Sequence, residues 1–133
     1  MHRRLRNESL RDFPMNYSEE SVLAQLYQQP RQTGAELARF QRITPQSMTK
    51  IVAHLVKQGW VEKGKNPHDK RRKELFLTGE GRAQVEAINQ ARERWILDKA
   101  DEVIDPAEYE SLLYALKTLK SMTARADPKL MRE

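Results

Sequence analysis

The sequence contains no cysteine, few aromatic residues and no long apolar segment, and each absence excludes a class of protein. Without cysteine, the chain forms no disulfide, no thiolate metal site, no cysteine nucleophile and no thiol redox switch. No apolar run approaches the length that crosses a bilayer, and the basic N-terminus is not followed by the apolar stretch of a secretory signal. We therefore expect a cytoplasmic protein that does not associate with a membrane.

The residue patterns that support catalysis or metal binding are also missing. The three histidines, His2, His54 and His68, are scattered and lack a serine or carboxylate constellation. The chain has no glycine-rich phosphate loop and no His-x-x-x-His pair. We therefore expect no catalytic residue, no metal site and no cofactor.

Charge, in contrast, is abundant. The 133 residues are 32% charged and 38% hydrophobic, and the formal net charge is +5 with a pI near 9.6. The length fits a single domain, and the lean composition predicts solvated helices with a core completed by a partner subunit. A basic balance favours an anionic partner such as nucleic acid, but many small proteins are mildly basic, so charge alone leaves both interpretations open.

Capping signals predict two short helices near the N-terminus. Ser18 is the expected cap of the first helix, which should end before Pro30. Thr33 is the expected cap of the second, and Glu36 three residues later completes a capping box.

A third helix follows at Thr44, where the next residue, Pro45, suits the first helical position because its missing N–H would be unpaired there in any case. Gly59 predicts its end. The expected buried stripe recurs at helical spacing and comprises Met48, Ile51, Val52, Leu55 and Val56.

Beyond this helix, two short strands at residues 60–63 and 75–78 flank a basic turn, and two longer helices begin near residues 79 and 106. The predicted fold is mainly α with a small β-hairpin wing. It is a winged helix-turn-helix over residues 18–78 with a helical dimerisation region at 1–15 and 79–125, all in one domain spanning 1–133. Trp60 is expected in the core, and Trp95 in the core or a dimer contact.

Polar residues at the start of the third helix are the candidate DNA-reading group. In helix-turn-helix proteins this end contacts base edges, and glutamine suits adenine while lysine suits guanine or phosphate. A solvated helix face is the alternative, and the basic hairpin that follows favours DNA contact. For His54, one turn further on, phosphate contact and a plain surface position both remain open. The full set is Thr44, Gln46, Ser47, Thr49, Lys50 and His54.

The hairpin turn carries Lys70, Arg71 and Arg72, and these are the candidate groove or phosphate contacts, because a narrow minor groove attracts arginine. Which of the three enters the groove stays open. Asp69 sits among these cations, and we expect it to orient Arg71 through a charge-assisted hydrogen bond. The alternative is a charged wing that only prevents edge-to-edge aggregation.

These elements, in this order, resemble the MarR (multiple-antibiotic-resistance regulator) family of winged-helix regulators from about Arg3 to Met122. The motifs that carry the resemblance are Thr33-x-x-Glu36-Leu37-Ala38, Ile43-Thr44-Pro45-Gln46-Ser47-Met48-Thr49, Leu55-Val56-x-x-Gly59-Trp60-Val61, Pro67-x-Asp69-x-Arg71 and Leu77-Thr78-x-x-Gly81. Asn66 and Lys70 replace the Asp and Arg that the family usually has. The segment before Pro14 is shorter than usual, and the cysteine of the family's peroxide sensors is absent.

The resemblance implies a homodimer built from the first and last helices. Apolar stripes on the terminal helices agree with this, although they might instead fold back on one chain. The candidate dimerisation residues are Leu5, Leu10, Trp95, Tyr109, Leu112, Leu113, Leu116 and Leu119. The resemblance also implies a small aromatic or amphipathic effector, lodged between the DNA-binding lobe and the dimer helices.

Together these features predict a sequence-specific regulator, acting as a repressor, that binds a pseudo-palindromic double-stranded operator. The two recognition helices of a dimer would lie roughly 34–36 Å apart and meet successive major grooves. Two alternatives remain open: a winged-helix module that binds an acidic protein, and an architectural DNA binder without sequence preference. The sequence does not give the regulated genes, the operator, the direction of control or the effector.

Overall fold

The structure is a computed structural model that describes Phe13 and residues 15–125. Within that part, five helices and a two-stranded antiparallel sheet follow one another along the chain. They are α1 (Tyr17–Gln28), α2 (Gly34–Gln41), α3 (Pro45–Lys57), β1 (Val61–Lys65), β2 (Lys73–Leu77), α4 (Gly79–Val103) and α5 (Pro106–Arg125). The predicted class, mainly α with a small hairpin, is confirmed. The described residues form two compact units, which comprise residues 15–88 and residues 89–125.

Helix α1 begins earlier than the sequence suggested, because its cap is Asn16 and not Ser18. The Asn16 Oδ1 accepts the backbone N–H of Glu19 at 3.0 Å, and the Glu19 carboxylate accepts the N–H of Asn16 at 3.1 Å. Two cap-forming residues stand two positions apart here, and Asn16 gains a reciprocal acid three residues later, which makes it the better cap. The predicted end before Pro30 is confirmed, since α1 stops at Gln28.

Helices α2 and α3 start at the predicted caps. Thr33 and Glu36 form the expected capping box, with both hydrogen bonds present at 3.0 and 3.1 Å. Thr44 accepts the N–H of Ser47 at 3.1 Å, and Pro45 occupies the first turn of α3.

Both helices end in the same hydrogen-bond pattern, the Schellman motif, which places one residue in the left-handed region. Gly59 has φ +79° after α3, as the sequence predicted, and Trp60 N–H returns to Leu55 C=O at 3.1 Å. After α2, Arg42 takes the same role with φ 55°, and Ile43 N–H returns to Ala38 C=O at 3.1 Å. The sequence contained no glycine signal for this second end.

The core of the first unit is formed where α1, α2 and α3 meet the hairpin. Helix α3 contributes Met48, Val52 and Leu55 to it, as predicted, and Trp60 is also buried. The prediction for Val56 is wrong, because its side chain is 37% exposed at the edge of the stripe. The buried apolar residues of this cluster are Val22, Leu23, Leu26, Leu37, Ala38, Met48, Val52, Leu55, Trp60, Val61, Leu75 and Val85.

The wing pairs β1 with β2 in a register that places Val61 opposite Leu77 and Lys65 opposite Lys73. The strands lie further towards the tip than the sequence predicted, because ladder pairing continues past the apolar residues into the charged ones. A short bridge from Gln32 to Leu75, with hydrogen bonds of 3.2 and 2.8 Å, joins the middle of β2 to the segment after α1.

Helix α4 begins directly after the sheet, as predicted. The Thr78 hydroxyl donates to Gly59 C=O at 2.6 Å and accepts the N–H of Gly81 at 3.0 Å, so one side chain joins the end of α3 to the start of α4. Gly81 is buried, and Val85 and Ile88 follow on the same buried face.

The second unit contains the remainder of α4 and all of α5. Asp105 and Glu108 form a capping box at 2.9 and 3.1 Å, which confirms the predicted start of α5. Lys120 pairs with Glu93 at 2.5 Å between the two helices. Val103, the last residue of α4, is 79% exposed. Among the described helices, none has the length and apolar character needed to cross a membrane.

Candidate nucleic-acid interface

The N-terminal end of α3 presents two polar side chains outward and holds three others by local hydrogen bonds. Gln46 and Lys50 are exposed, and within the described part of the chain their side chains form no hydrogen bond or ion pair. These two are therefore immediately available to a ligand.

The three hydroxyl groups of this turn are partly occupied. Thr44 donates to Ser47 Oγ at 3.0 Å, and Thr49 donates to Pro45 C=O at 2.9 Å. Ser47 therefore keeps its own proton for an outside acceptor, while Thr44 and Thr49 offer lone pairs. The local bonds fix the orientation of all three groups before any ligand arrives.

His54 is held by another helix. Its Nδ1 lies 2.7 Å from Oε1 of Glu19, and its Nε2 lies 3.2 Å from Nε2 of Gln58. Since Glu19 also closes the cap of α1, the imidazole joins α3 to the start of α1. Contact between His54 and phosphate stays a prediction, and the observed position supports a structural role.

The turn between the strands is built by its own polar groups. Asn66 Oδ1 accepts the N–H of His68 at 2.8 Å and of Asp69 at 3.2 Å. Asp69 Oδ1 in turn accepts the N–H of Arg71 at 3.0 Å. The hydrogen bond expected between Asp69 and Arg71 thus exists on the main chain, where it fixes the turn, and any further action on the guanidinium stays a prediction.

The three cations of the turn separate into two groups. Lys70 and Arg71 are exposed, and within residues 15–125 neither side chain has a hydrogen-bond or ion-pair partner. Arg72 is only 38% exposed and turns towards two carboxylates. Its Nε donates to Glu74 Oε1 at 3.1 Å, and its Nη2 donates to Glu36 Oε1.

The carboxylates around Arg72 are stabilised in their charged form. Burial alone would raise the pKa of the Glu36 carboxyl, but the N–H of Thr33 and the guanidinium of Arg72 outweigh it, so this pKa lies below its ordinary value. Glu74 is buried, with its side chain 5% exposed. The hydrogen bond from Asn66 Nδ2, at 2.8 Å, lowers the pKa of Glu74; burial opposes this, and the cations Arg72 and Arg31 reinforce it.

Sequence analysis missed this cluster of Glu36, Arg72, Glu74, Asn66 and Arg31. The capping box accounted for Glu36 but uses only one of its oxygens. Glu74 is a charged residue, and the pattern along β2 did not indicate that its side chain would be buried. Only the fold brings residues 36 and 72 together.

A cavity of about 240 Å³ lies in the same unit, between α2, α3 and the strands. Its floor is apolar, and two exposed lysines belong to its lining. The lining residues are Gly34, Ala35, Pro45, Met48, Thr49, Val52, Lys63, Lys73 and Leu75. Among the described residues, no group of three or more histidines and carboxylates is arranged to hold a metal ion.

The candidate dimerisation residues that the structure describes lie in the second unit. Leu119 is 58% exposed, and the others, Trp95, Tyr109, Leu112, Leu113 and Leu116, are half-buried. Leu5 and Leu10 lie outside the described residues. A single chain thus leaves a partly covered apolar stripe along α5, and dimerisation itself stays a prediction.

Comparison with known proteins shows a resemblance to one family. The sequence model of the MarR family matches residues 15–73, which include α1 to α3 and most of the wing. The chain resembles this family over those residues. The match ends at the first residue of β2, so it includes helix α3 and the whole turn that carries Lys70 and Arg71.

Curated relatives of this chain are mycobacterial regulators. An uncharacterized HTH-type transcriptional regulator of Mycobacterium bovis is 31% identical over 96 residues, which cover 72% of this chain and 65% of that protein. Another, of Mycobacterium leprae, is 30% identical over 86 residues, covering 65% of this chain and 60% of that protein. The matched part of the chain thus spans slightly less than two thirds of these relatives.

Solved structures share the fold over nearly the whole chain. A mutant of MarR from E. coli is 28% identical with a TM-score of 0.67, covering 87% of this chain and 85% of that one. A transcriptional regulator of Thermotoga maritima is 24% identical with a TM-score of 0.71, covering 90% of this chain and 83% of that one. An S. aureus MepR mutant bound to an oligodeoxyribonucleotide is 20% identical with a TM-score of 0.70, covering 90% of this chain and 88% of that one.

Proposed function

We propose that this chain is a transcriptional regulator that binds double-stranded DNA sequence-specifically and acts as a repressor by occupying its operator. The observation that carries the proposal is the division of polar groups within one compact unit. Gln46 and Lys50 project from the start of α3, while Lys70 and Arg71 project from the tip of the wing. Both pairs are free of intramolecular partners within the described residues.

The two groups have different tasks in this proposal. Helix α3 enters the major groove, where the amide of Gln46 reads a base edge and the ordered hydroxyl of Ser47 donates to a base or phosphate. Arg71 enters the minor groove, and Lys70 contacts phosphate. Phosphate contacts supply most of the affinity, because each one releases condensed counterions.

A homodimer would present two such sets to a pseudo-palindromic duplex. The partly covered apolar stripe of α5 supports association with a second copy, since half-buried leucines and Tyr109 would otherwise stay in contact with water. The relatives named HTH-type transcriptional regulators and the MepR mutant bound to an oligodeoxyribonucleotide support the same function for this chain.

The test is duplex binding measured over a salt series. Wild-type protein should show log K falling steeply with log salt. Arg71→Ala should make the slope shallower by about 1 per protomer, because the duplex loses contact with one cation that displaces condensed counterions. Lys117→Ala, which removes an exposed cation of α5 in the other unit, is the matched control and should leave the slope unchanged.

Two other outcomes would each overturn the proposal. If the folded protein binds no duplex at low salt, the protein-interaction alternative is favoured, with an acidic protein as the partner of the wing. If it binds duplexes but selection from random sequences yields no shared symmetric motif, the chain is an architectural DNA binder.

We also propose that a small amphipathic anion regulates binding from the cavity beside α3. An apolar floor with Lys63 and Lys73 in the lining suits an aromatic ring that carries a carboxylate. Benzoate is a suitable probe. It should weaken duplex binding by the factor by which it prefers the DNA-free state, and Lys63→Gln should reduce that effect. An unchanged duplex affinity at saturating benzoate would contradict this.

A further inference from the structure

Arg72 joins helix α2 to strand β2. Its guanidinium contacts Glu36, in the first turn of α2, and Glu74, in strand β2. We propose that Arg72 is a positioning residue that fixes the wing against α2, and that it does not itself contact DNA. This inference rests on the proposed function, in which the tip of the wing reaches DNA.

The wing needs a contact of this kind with the helices, because a two-stranded hairpin is only marginally stable alone. We call the contact of Arg72 with Glu36 the tie. The middle of the wing is fixed by the bridge between Gln32 and Leu75. The turn that carries Lys70 and Arg71 lies at one end of the strands. Arg72 opens the return into β2, so a bond from it to Glu36 holds the tip end of the hairpin.

The tie continues through hydrogen bonds into the turn itself. Glu74, which shares Arg72 with Glu36, accepts the amide N–H of Asn66 at 2.8 Å. The Oδ1 of Asn66 accepts two backbone N–H groups of the turn, and Oδ1 of Asp69 accepts the N–H of Arg71. An unbroken series of polar contacts therefore leads from helix α2 to the backbone of Arg71.

A DNA contact that turned Arg72 away from α2 would break this cluster. Glu74 is buried, with 5% of its side chain exposed, and it would lose a charged partner inside the protein. Glu36 would lose the same partner. Lys70 and Arg71 carry no such cost, since no intramolecular partner among residues 15–125 holds their side chains.

The decisive variant is Glu36→Gln. Glutamine keeps the capping box at α2, because it also serves at that position, but it removes the charge that holds Arg72. If Arg72 positions the wing, operator affinity should fall by roughly 2- to 30-fold, although the protein has become more positive. The salt slope should stay at the wild-type value, because no phosphate contact is lost.

Glu62→Gln is the matched control. Glu62 is an exposed carboxylate of β1 whose side chain has no hydrogen bond or ion pair within the described residues. Its neutralisation should leave duplex affinity unchanged or tighten it slightly, through net charge alone. Arg72→Lys, which keeps the charge but cannot place a planar group between two carboxylates, should weaken binding as Glu36→Gln does.

Two results would overturn the inference. The first is tighter duplex binding by Glu36→Gln than by Glu62→Gln, which would mean that Glu36 restrains a DNA-contacting Arg72. The second is a salt slope lowered by about 1 in Arg72→Ala, as is expected for Arg71→Ala, which would mark a direct DNA contact.

Hydrogen exchange of the DNA-free protein separates this inference from the proposed function. The N–H groups of Asn66 and Arg72, bonded to Arg72 C=O at 3.1 Å and Asp69 C=O at 3.0 Å, report closure of the turn. Glu36→Gln should raise their exchange rates by about tenfold, and Glu62→Gln should not. If this difference appeared but the wild type failed to bind DNA, the positioning role of Arg72 would be supported and the proposed function would be refuted. Equal exchange in both variants would refute the positioning role.

Discussion

Gly81 and Gly79 stand two residues apart at the start of α4, and alanine should have opposite effects at the two positions. A Cβ at Gly81 would lie 2.0 Å from the carbonyl oxygen of Trp60 and 2.9 Å from its carbonyl carbon. Non-bonded carbon atoms normally approach no closer than about 3.5 Å. A Cβ at Gly79 would meet nothing within 4 Å.

The obstacle at Gly81 is backbone, which cannot rotate away as a side chain can. The Trp60 carbonyl also accepts the N–H of Thr78 at 3.1 Å, so moving it would strain the junction of the sheet with α4. Over-packing usually costs 1–3 kcal/mol, and a fixed neighbour at this distance places Gly81→Ala at about 3–5 kcal/mol. Gly79→Ala should stabilise by about 0.4–1 kcal/mol, because alanine restricts the unfolded chain.

Urea unfolding followed by circular dichroism measures both effects. With a slope of about 1–3 kcal/mol per molar urea, Gly81→Ala should lower the midpoint by at least about 1 M, while Gly79→Ala should raise it slightly. Changes of the same sign at both positions, or a Gly81→Ala cost under about 1 kcal/mol, would refute the close packing of α4 on the chain at Trp60.

Three further predictions concern the reading helix, a helix end and the polar cluster. Gln46→Ala should relax preference at one base position by about 1–3 kcal/mol, measured by competition with singly substituted duplexes, and a uniform loss over all duplexes would contradict base reading. Arg42→Gly should stabilise by roughly 0.5–1 kcal/mol in urea, because glycine adopts the left-handed conformation without strain, while Arg39→Gly inside the same helix should destabilise; equal effects would contradict this. Since the folded pKa values of Glu36 and Glu74 lie below the ordinary value of 4.5, their contribution is fully present above that pH and is lost as pH falls through the folded values. Glu36→Gln should therefore reduce the loss of unfolding free energy as the pH falls below 4.5, measured by urea unfolding at several pH values. An unchanged pH dependence would contradict this assignment.

Much of the fold is predictable because its signals are local. The caps at Thr33 and Thr44 and the turn at Gly59 depend on residues within four positions of one another, and all three are where the sequence places them. Where two local signals compete, as at Asn16 and Ser18, the winner depends on which has a partner at the right distance.

Tertiary packing decides the features that the sequence does not reveal. Val56 follows the apolar spacing of α3 yet lies at the edge of the covered face, and spacing does not give the width of that face. The contact from Arg72 to Glu36 joins residues that only the folded hairpin brings together. The sequence therefore predicts the basic turn but not which of its cations faces inward.

The central claim is that α3 reads bases while the wing anchors the protein. Selection of bound duplexes from a random pool, performed with wild type and with Gln46→Ala, tests it most directly. We expect a symmetric motif for the wild type, in which Gln46→Ala loses preference at one position in each half-site while the spacing of the half-sites is kept. Recovery of the same motif from both proteins, or of no motif from the wild type, would contradict it.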